Sequence, residues 1–201
     1  MEPGRTTPSQ TMGDDTAALV RRCRGGDALA WEDLVRRYQG RVLAVARHYV
    51  GDLDDARDLT QEIFLRIYRR LDSCRDPERL LAWILKLARH ACIDHLRRRR
   101  SRQPWRRDDA VPLSSLAHGQ PTPEDVSCRE SSQRLVRRAL QRLGRRHREV
   151  LILREIQGLP LEEVASLLGI PGGTVKSRAH RAKLELARAV IALGGGPGGD
   201  R

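Results

Sequence analysis

The segment Leu159–Ala189, LPLEEVASLLGIPGGTVKSRAHRAKLELARA, leaves the chain few ways to fold. Pro160 suits the first turn of a helix, where its missing N–H costs nothing. Val164, Ala165, Leu167 and Leu168 give that helix an apolar face. Gly169 supplies the left-handed backbone a sharp turn needs, and Pro171 keeps the first helix from running on. A second helix is expected to begin near Gly173 or Thr174. At about 100° per residue, Val175, Ala179, Ala182 and Leu186 share one side of it. Ser177, His180 and Arg181 take the opposite side, flanked by Lys176, Arg178 and Lys183. Two crossed helices need a small residue at their contact, here Ala165, and an apolar anchor under the second helix, here Val175. The pattern predicts a helix-turn-helix whose outward face offers hydroxyl, imidazole and guanidinium groups to a major groove. An ordinary helical hairpin with a solvated basic face is the competing reading; the coincidence of turn, small contact and basic face favours the first.

A groove-reading helix needs an anionic partner, and the charge agrees. The 201 residues carry a net charge of +12, which favours nucleic acid. Only three of the 38 basic residues are lysine: Lys86, Lys176 and Lys183. Arginine favours bidentate contacts to phosphate and guanine, but a GC-rich genome produces the same bias. Cys23, Cys74, Cys92 and Cys128 are too scattered for a metal site or a disulfide scaffold, and are expected as reduced, mostly buried thiols. The N-terminus has no apolar signal region and no apolar run could span a membrane, so a cytoplasmic protein is expected.

Taken in order, residues 1–13 are polar and read as a disordered tail. Asp15 to Arg24 reads as a short amphipathic helix, broken by Gly25-Gly26. Asp27 can cap a helix through Ala30, Trp31, Leu34, Val35 and Tyr38. A further helical pattern through Val42, Val45, Ala46 and Tyr49 ends at Gly51. Asp52 then caps a helix with Asp54, Asp55 and Asp58 in its first turns, where the dipole favours carboxylates. Leu59, Ile63 and Ile67 form its apolar face, widened by Phe64, Tyr68 and Leu71. Leu71 to Pro77 reads as a loop, and Glu78 to about Arg99 as the next helix. Residues 101–127, with Pro104, Pro112, Pro121 and Pro123, read as a linker. Helical periodicity returns over Glu130–Leu143 (Leu135, Val136, Ala139, Leu140 and Leu143), breaks at Gly144, and resumes over Arg145–Gln157 with Val150, Leu151, Leu153 and Ile156. Residues 191–201 read as a flexible tail. The expected fold is all-α: two small helical domains, 14–100 and 128–190, joined by a flexible linker, the second ending in the helix-turn-helix. Every aromatic residue lies at or before Trp105, so the second core must be aliphatic.

No catalytic constellation stands out; neither an enzyme nor a cofactor or metal is expected. The acidic cluster Asp52, Asp54, Asp55, Asp58 and Glu62 could hold Mg²⁺ in a nuclease, but reads more simply as a charged helix start. The run Arg97–Arg100 ends a helix that also carries Lys86, Arg89, His90 and His95, with Trp83 nearby. Cations that track phosphates beside a flat ring suit single-stranded DNA, although Trp83 reads first as core.

Three segments in this order carry a resemblance: DLTQEIFLRIYRR (Asp58–Arg70), WILKLARHACIDHLRRRR (Trp83–Arg100) and HREVLILREIQGLPLEEVASLLGIPGGTVKSRAHRAKLEL (His147–Leu186). They resemble, respectively, the core-polymerase-binding helix, the −10-element helix and the −35-binding domain of bacterial sigma factors of the extracytoplasmic function (ECF) type, in the sigma-70 family. The resemblance implies a sigma factor that binds core RNA polymerase, through its largest and second-largest subunits, and directs promoter-specific initiation. It implies core-polymerase contacts by Asp55, Asp58, Leu59, Gln61, Glu62, Leu65, Arg66 and Arg69. It implies −10 contacts by Ser73, Arg75, Trp83, Lys86, Arg89, His90, Asp94, Arg97 and Arg98, with the Leu71–Pro77 loop capturing a flipped base whose extrusion costs a few kcal/mol. For the −35 major groove it implies Thr174, Lys176, Ser177, Arg178, His180, Arg181 and Lys183, within a helix-turn-helix over 161–180. An anti-sigma partner is implied as well. About 27 linker residues span roughly 30 Å when relaxed, so they must extend to serve two promoter elements.

Departures from the family pattern are modest. His90 replaces an Asn common beside the Arg, Gly144 replaces a Pro, and Gly172 and Ala179 are smaller than the usual Val and Leu. The competing account is a stand-alone helix-turn-helix regulator, such as the LuxR type, which has no need of the Asp58–Arg70 segment.

Overall fold

Aspartate caps and glycine stops divide the first half of the chain into helices. The computed structural model describes residues 8–102 and 128–194; the remainder of the two tails and of the linker lies outside the described residues. Helix α1 (Pro8–Arg24) starts inside the segment expected as a tail. Asp27 caps α2 (Ala28–Val50), accepting from the Leu29 and Ala30 amides at 2.9 and 3.2 Å. The two helical stretches expected around Tyr38 are one continuous helix, closed by Gly51. Asp52 caps α3 (Leu53–Arg70) through the Asp54 and Asp55 amides at 2.9 and 3.0 Å. These bonds hold the Asp52 carboxyl below its ordinary value, the Asp55 amide foremost.

Helix α2 packs on α3 and on α4 (Leu80–Arg102), which also pack on each other. Their buried faces supply Leu34, Val42, Leu59, Ile63, Ile67, Leu80, Ile84 and Leu85. Each such side chain contributes about 1.5–3 kcal/mol. Leu59, expected at the polymerase contact, is 2% exposed and belongs to this core. Tyr68 departs the other way: expected inward, it is 63% exposed, its ring 4.8 Å from that of Trp31. The Leu71–Pro77 segment is not plain loop. It forms 3₁₀ turns at Leu71–Ser73 and Pro77–Arg79, with Leu71 and Cys74 buried beneath it. Helix α4 runs to Arg102, into the segment read as linker.

The second compact unit holds α5 (Cys128–Arg142), α6 (Arg145–Leu151), α7 (Leu161–Leu168) and α8 (Gly172–Gly194). Its core includes Ala139, Leu143, Leu151, Ala182 and Ala189, with Leu140, Leu186, Val190 and Leu193 packed against them. Val190 and Leu193 explain why α8 continues past residue 191, where a tail was expected. Gly144 breaks the chain between α5 and α6, and Arg148 stitches the break, donating to the Gln141 and Leu143 carbonyls at 2.7 and 2.9 Å. Burial lowers the Arg148 guanidinium from its ordinary value.

The helix expected over Arg145–Gln157 is interrupted by a π-helical turn, Ile152–Ile156. The Gln157 amide reaches back five residues to the Ile152 carbonyl at 2.8 Å. One extra residue turns the following side chains by about 100°. Ile156, expected inward, is therefore 52% exposed, while Gln157 is buried. Cys23, Cys74 and Cys92 are buried free thiols, and burial raises the first two above their ordinary value.

Candidate nucleic-acid interface

The turn between α7 and α8 has the geometry its residues require. Gly169 adopts φ 66°, ψ 39°, and its N–H bonds to the Ala165 carbonyl, which also accepts from Ile170 at 3.1 Å. The Pro171 carbonyl accepts from Thr174 and Val175 at 2.9 and 3.1 Å, starting α8. A methyl group at Gly172 would lie 2.8 Å from Leu161 Cδ2, so the bare glycine lets the start of α8 approach the start of α7. Val164, Val175 and Ala182 are fully buried. That anchor turns Lys176, Ser177, His180, Arg181 and Lys183 outward and leaves Thr174 and Arg178 half-buried.

These outward groups are not equivalent. Lys183 Nζ lies 2.9 Å from Glu155 on the π turn. Ser177 Oγ donates to the Thr174 carbonyl at 3.1 Å. Among the described residues no carboxylate pairs with Lys176, Arg178 or Arg181. Beside this face, His147 of α6 meets Glu185 of α8 at 2.8 Å.

In the first unit the structure joins groups that the sequence assigns to separate surfaces. Arg99 of α4 pairs with Asp55 of α3 at 3.2 Å. Glu62 takes Arg66 at 2.6 Å and Arg98 at 3.3 Å, and Arg66 reaches Asp94 at 3.5 Å. Burial raises the Glu62 carboxyl, but Arg66 and Arg98 outweigh it and hold it below its ordinary value. Two residues expected to meet polymerase (Glu62, Arg66) thus form a ladder with two expected to meet DNA (Asp94, Arg98), and Asp55 is tied beside them to Arg99. Four of the five carboxylates weighed as a Mg²⁺ site have other partners: Asp52 caps α3, Asp54 pairs with Arg57 at 3.2 Å, and Asp55 and Glu62 hold arginines, while Asp58 is exposed.

Asp58, Gln61, Leu65 and Arg69 remain exposed along α3, Leu65 at 58%. Lys86, His90 and Arg97 are exposed on α4; Arg89 and Trp83 are half-buried. A cavity of about 500 Å³ opens between these helices, lined by Arg66, Arg70, Arg89, His90, Asp94 and Arg97 over Leu87 and Ile93.

Ser73 and Arg75 stand exposed on the turns joining α3 to α4. Ser73 Oγ donates to the Arg70 carbonyl at 2.7 Å. The same turn receives Arg24 from α1, which donates to the Cys74 carbonyl at 2.5 Å and the Leu71 carbonyl at 3.1 Å. No sequence pattern points to Arg24: its partners lie 47 to 50 positions away, beyond the reach of any helical period.

Comparison with known proteins places both units. Residues 34–102 match the family Sigma-70 region 2, and residues 133–186 match Sigma-70, region 4. The chain is 31% identical over 181 residues to the RNA polymerase sigma-H factor of Pseudomonas aeruginosa, covering 87% of this chain and 93% of that protein. It is 33% identical over 170 residues to the ECF RNA polymerase sigma-E factor of Escherichia coli, covering 82% and 88% respectively. Among solved structures, the sigma factor RpoE of Bartonella quintana, in complex with the anti-sigma factor NepR, superposes with a TM-score of 0.63 at 25% identity, over 79% of this chain and 95% of that one. CnrH, in complex with the cytosolic domain of CnrY, shares the fold at 24% identity and a TM-score of 0.59, over 87% and 96%. No helix among the described residues is long and apolar enough to cross a membrane. A region 2 carrying α3 and α4, followed by a region 4 that ends in a helix-turn-helix, makes this chain a member of the sigma-70 family: an ECF-type sigma factor, which serves core RNA polymerase and directs it to promoters.

Proposed function

We propose a division of labour between the two units. The first, 14–100, docks the core enzyme through the outer face of α3: Asp55, Asp58, Gln61, Glu62, Leu65, Arg66 and Arg69. Leu59 supports that helix from within. The same unit handles the −10 element through Ser73 and Arg75 on the turn and Trp83, Lys86, Arg89, His90, Asp94, Arg97 and Arg98 on α4. The second unit, 128–190, reads the −35 major groove through Thr174, Lys176, Ser177, Arg178, His180 and Arg181, with Lys183 first released from Glu155. The observation that carries this reading is the outward face of α8, where Lys176, Arg178 and Arg181 stand without a carboxylate among the described residues, over the buried anchor of Val175 and Ala182.

Catalysis on this reading belongs to the polymerase, and the sigma chain supplies binding energy alone. A cytoplasmic location follows from that role. An anti-sigma partner is proposed by likeness to the Bartonella relative; exposed Leu65 and Tyr68 on α3 give it an apolar foothold beside the charged ladder. A stand-alone regulator using α7 and α8 leaves the region 2 match without a purpose. Run-off transcription with bacterial core polymerase on a library of random promoters tests the division. Transcripts that share two sequence elements, with variants of α8 altering one and variants of α4 altering the other, are expected. Variants that alter both elements alike would overturn the assignment.

A further inference from the structure

We propose that Arg24, the last residue of α1, is a positioning residue for −10 base selection, acting through the turn Leu71–Cys74. The proposal rests on the assignment of that turn to the flipped −10 base. The turn follows directly on α3, where carbonyls run out of helical donors. Arg24 supplies the donors from outside. Its guanidinium reaches the Cys74 carbonyl at 2.5 Å, the Leu71 carbonyl at 3.1 Å and the Asp72 carbonyl at 3.5 Å. Its Nε also lies 3.7 Å from the Asp72 carboxylate, but that side chain is 93% exposed, so the ion pair counts for little. The carbonyl contacts are what constrain the main chain.

Arg24 itself stands on a fixed base. The Gly25 amide returns to the Arg21 carbonyl at 3.0 Å, and Trp31 Nε1 donates to the Cys23 carbonyl at 3.2 Å. On the other side of the turn, Leu71 and Cys74 are buried, and the Cys74 amide bonds to the Leu71 carbonyl at 3.0 Å. Held from both sides, the turn leaves Asp72, Ser73 and Arg75 as its exposed side chains. All three carbonyl contacts are made by Nη2, an amino group fixed in the guanidinium plane, whereas a lysine ammonium turns freely on a flexible stem. A turn so pre-shaped discriminates between bases because a misfitting base cannot be met by a shift of backbone; a loosened turn adapts to several.

The test is run-off transcription by the reconstituted holoenzyme on a library varied at the −10 element with a constant −35 element. It compares the native chain with Arg24→Ala, Arg24→Lys, Ser73→Ala and Arg75→Ala. For Arg24→Ala, core binding and −35 dependence are expected to stay unchanged while preference among −10 bases flattens by roughly tenfold, the scale of one charge-assisted hydrogen bond. Arg24→Lys is expected to flatten it less. Should Arg24→Ala fail to melt cooperatively, the Lys variant carries the same comparison. A uniform fall in transcription with the order and spread of base preferences intact would overturn the proposal, since a merely structural arginine gives that result. If Ser73→Ala and Arg75→Ala shift the preference and neither Arg24 variant does, the positioning role alone fails. If none of the four variants shifts it, the assignment of the turn fails and takes this proposal with it.

Discussion

The two basic faces of this protein meet their partners in different electrostatic states. On α8, Lys176, Arg178 and Arg181 have no carboxylate partner among the described residues, whereas Lys183 is tied to Glu155. On α4, Arg98 and Arg99 are paired with Glu62 and Asp55 of the neighbouring helix. A face of unpaired cations is ready for phosphates on encounter. Where cations are paired, as Arg98 and Arg99 are, a carboxylate must be exchanged for a phosphate, and those carboxylates lie on the helix proposed to dock polymerase; Lys86 and Arg97 on the same helix as these arginines have no carboxylate partner among the described residues. Charge count alone therefore does not describe a nucleic-acid surface; the partners already present set how much of the charge is available.

The largest effect is expected inside the first unit. Leu59→Ala should cost about 2–5 kcal/mol of stability in urea denaturation, as a buried leucine truncated to alanine does. Leu65→Ala, on the exposed face of the same helix, should change stability by less than about 0.5 kcal/mol and weaken core binding instead. A Leu59 variant of native stability that loses core binding would return that residue to the interface and break the distinction between inner and outer faces of α3.

On the open face, Arg181→Ala should weaken −35-dependent transcription and leave core binding intact. If the guanidinium meets a base edge, its removal costs about 1–3 kcal/mol of discrimination; if it meets a phosphate, the salt slope of binding falls by about one. An unchanged promoter profile would remove Arg181 from the readout.

Smaller effects probe the paired face. A double-mutant cycle of Asp55→Asn with Arg99→Ala should give a coupling of about 0.2–1 kcal/mol, the range of exposed ion pairs. If the ladder screens DNA contacts, Asp55→Asn should raise the affinity of the free chain for promoter DNA more than Asp54→Asn does, because Asp54 pairs with Arg57 of its own helix. Equal gains would mean a plain change of net charge.

The smallest is a slope in pH. Backbone donors keep the Asp52 carboxyl below its ordinary value, so its contribution is fully present above the unfolded carboxylate range, near pH 4. It is lost as pH falls through the lower folded value. Asp52→Asn keeps a capping side chain without the charge and should flatten the acid limb of thermal melts; an unaltered limb would place the acid sensitivity elsewhere.

Much of the fold was legible because helix ends depend on near neighbours. Asp27 and Asp52 cap the helices that follow them, and Gly169 turns the chain with a left-handed backbone, since each acts within a few residues of itself. The phase of α8 was legible too: Val175 and Ala182 are buried, and Ser177, His180 and Arg181 are turned outward, as a 3.6-residue period demands. The same reasoning misjudged Ile156, because a π turn adds a residue that no period anticipates. It misjudged Tyr68, which the period put on the apolar face of α3 and which is exposed; Leu59 it placed inward, as found, and only the family resemblance set that residue at the polymerase contact.

Residue order alone was thus enough to dictate an all-helical chain with a helix-turn-helix and the segments of an ECF sigma factor. These follow from caps, turn residues and periodicity, whose energies act over one or two turns of backbone. It took the packed helices to establish that α4 arginines are held by α3 carboxylates, that Arg24 clasps a turn 47 positions away, and that Leu193 keeps α8 helical to its end. Such pairings depend on how packed helices cross and in what register, and that is settled by the burial of whole faces rather than by any residue and its neighbours in the chain.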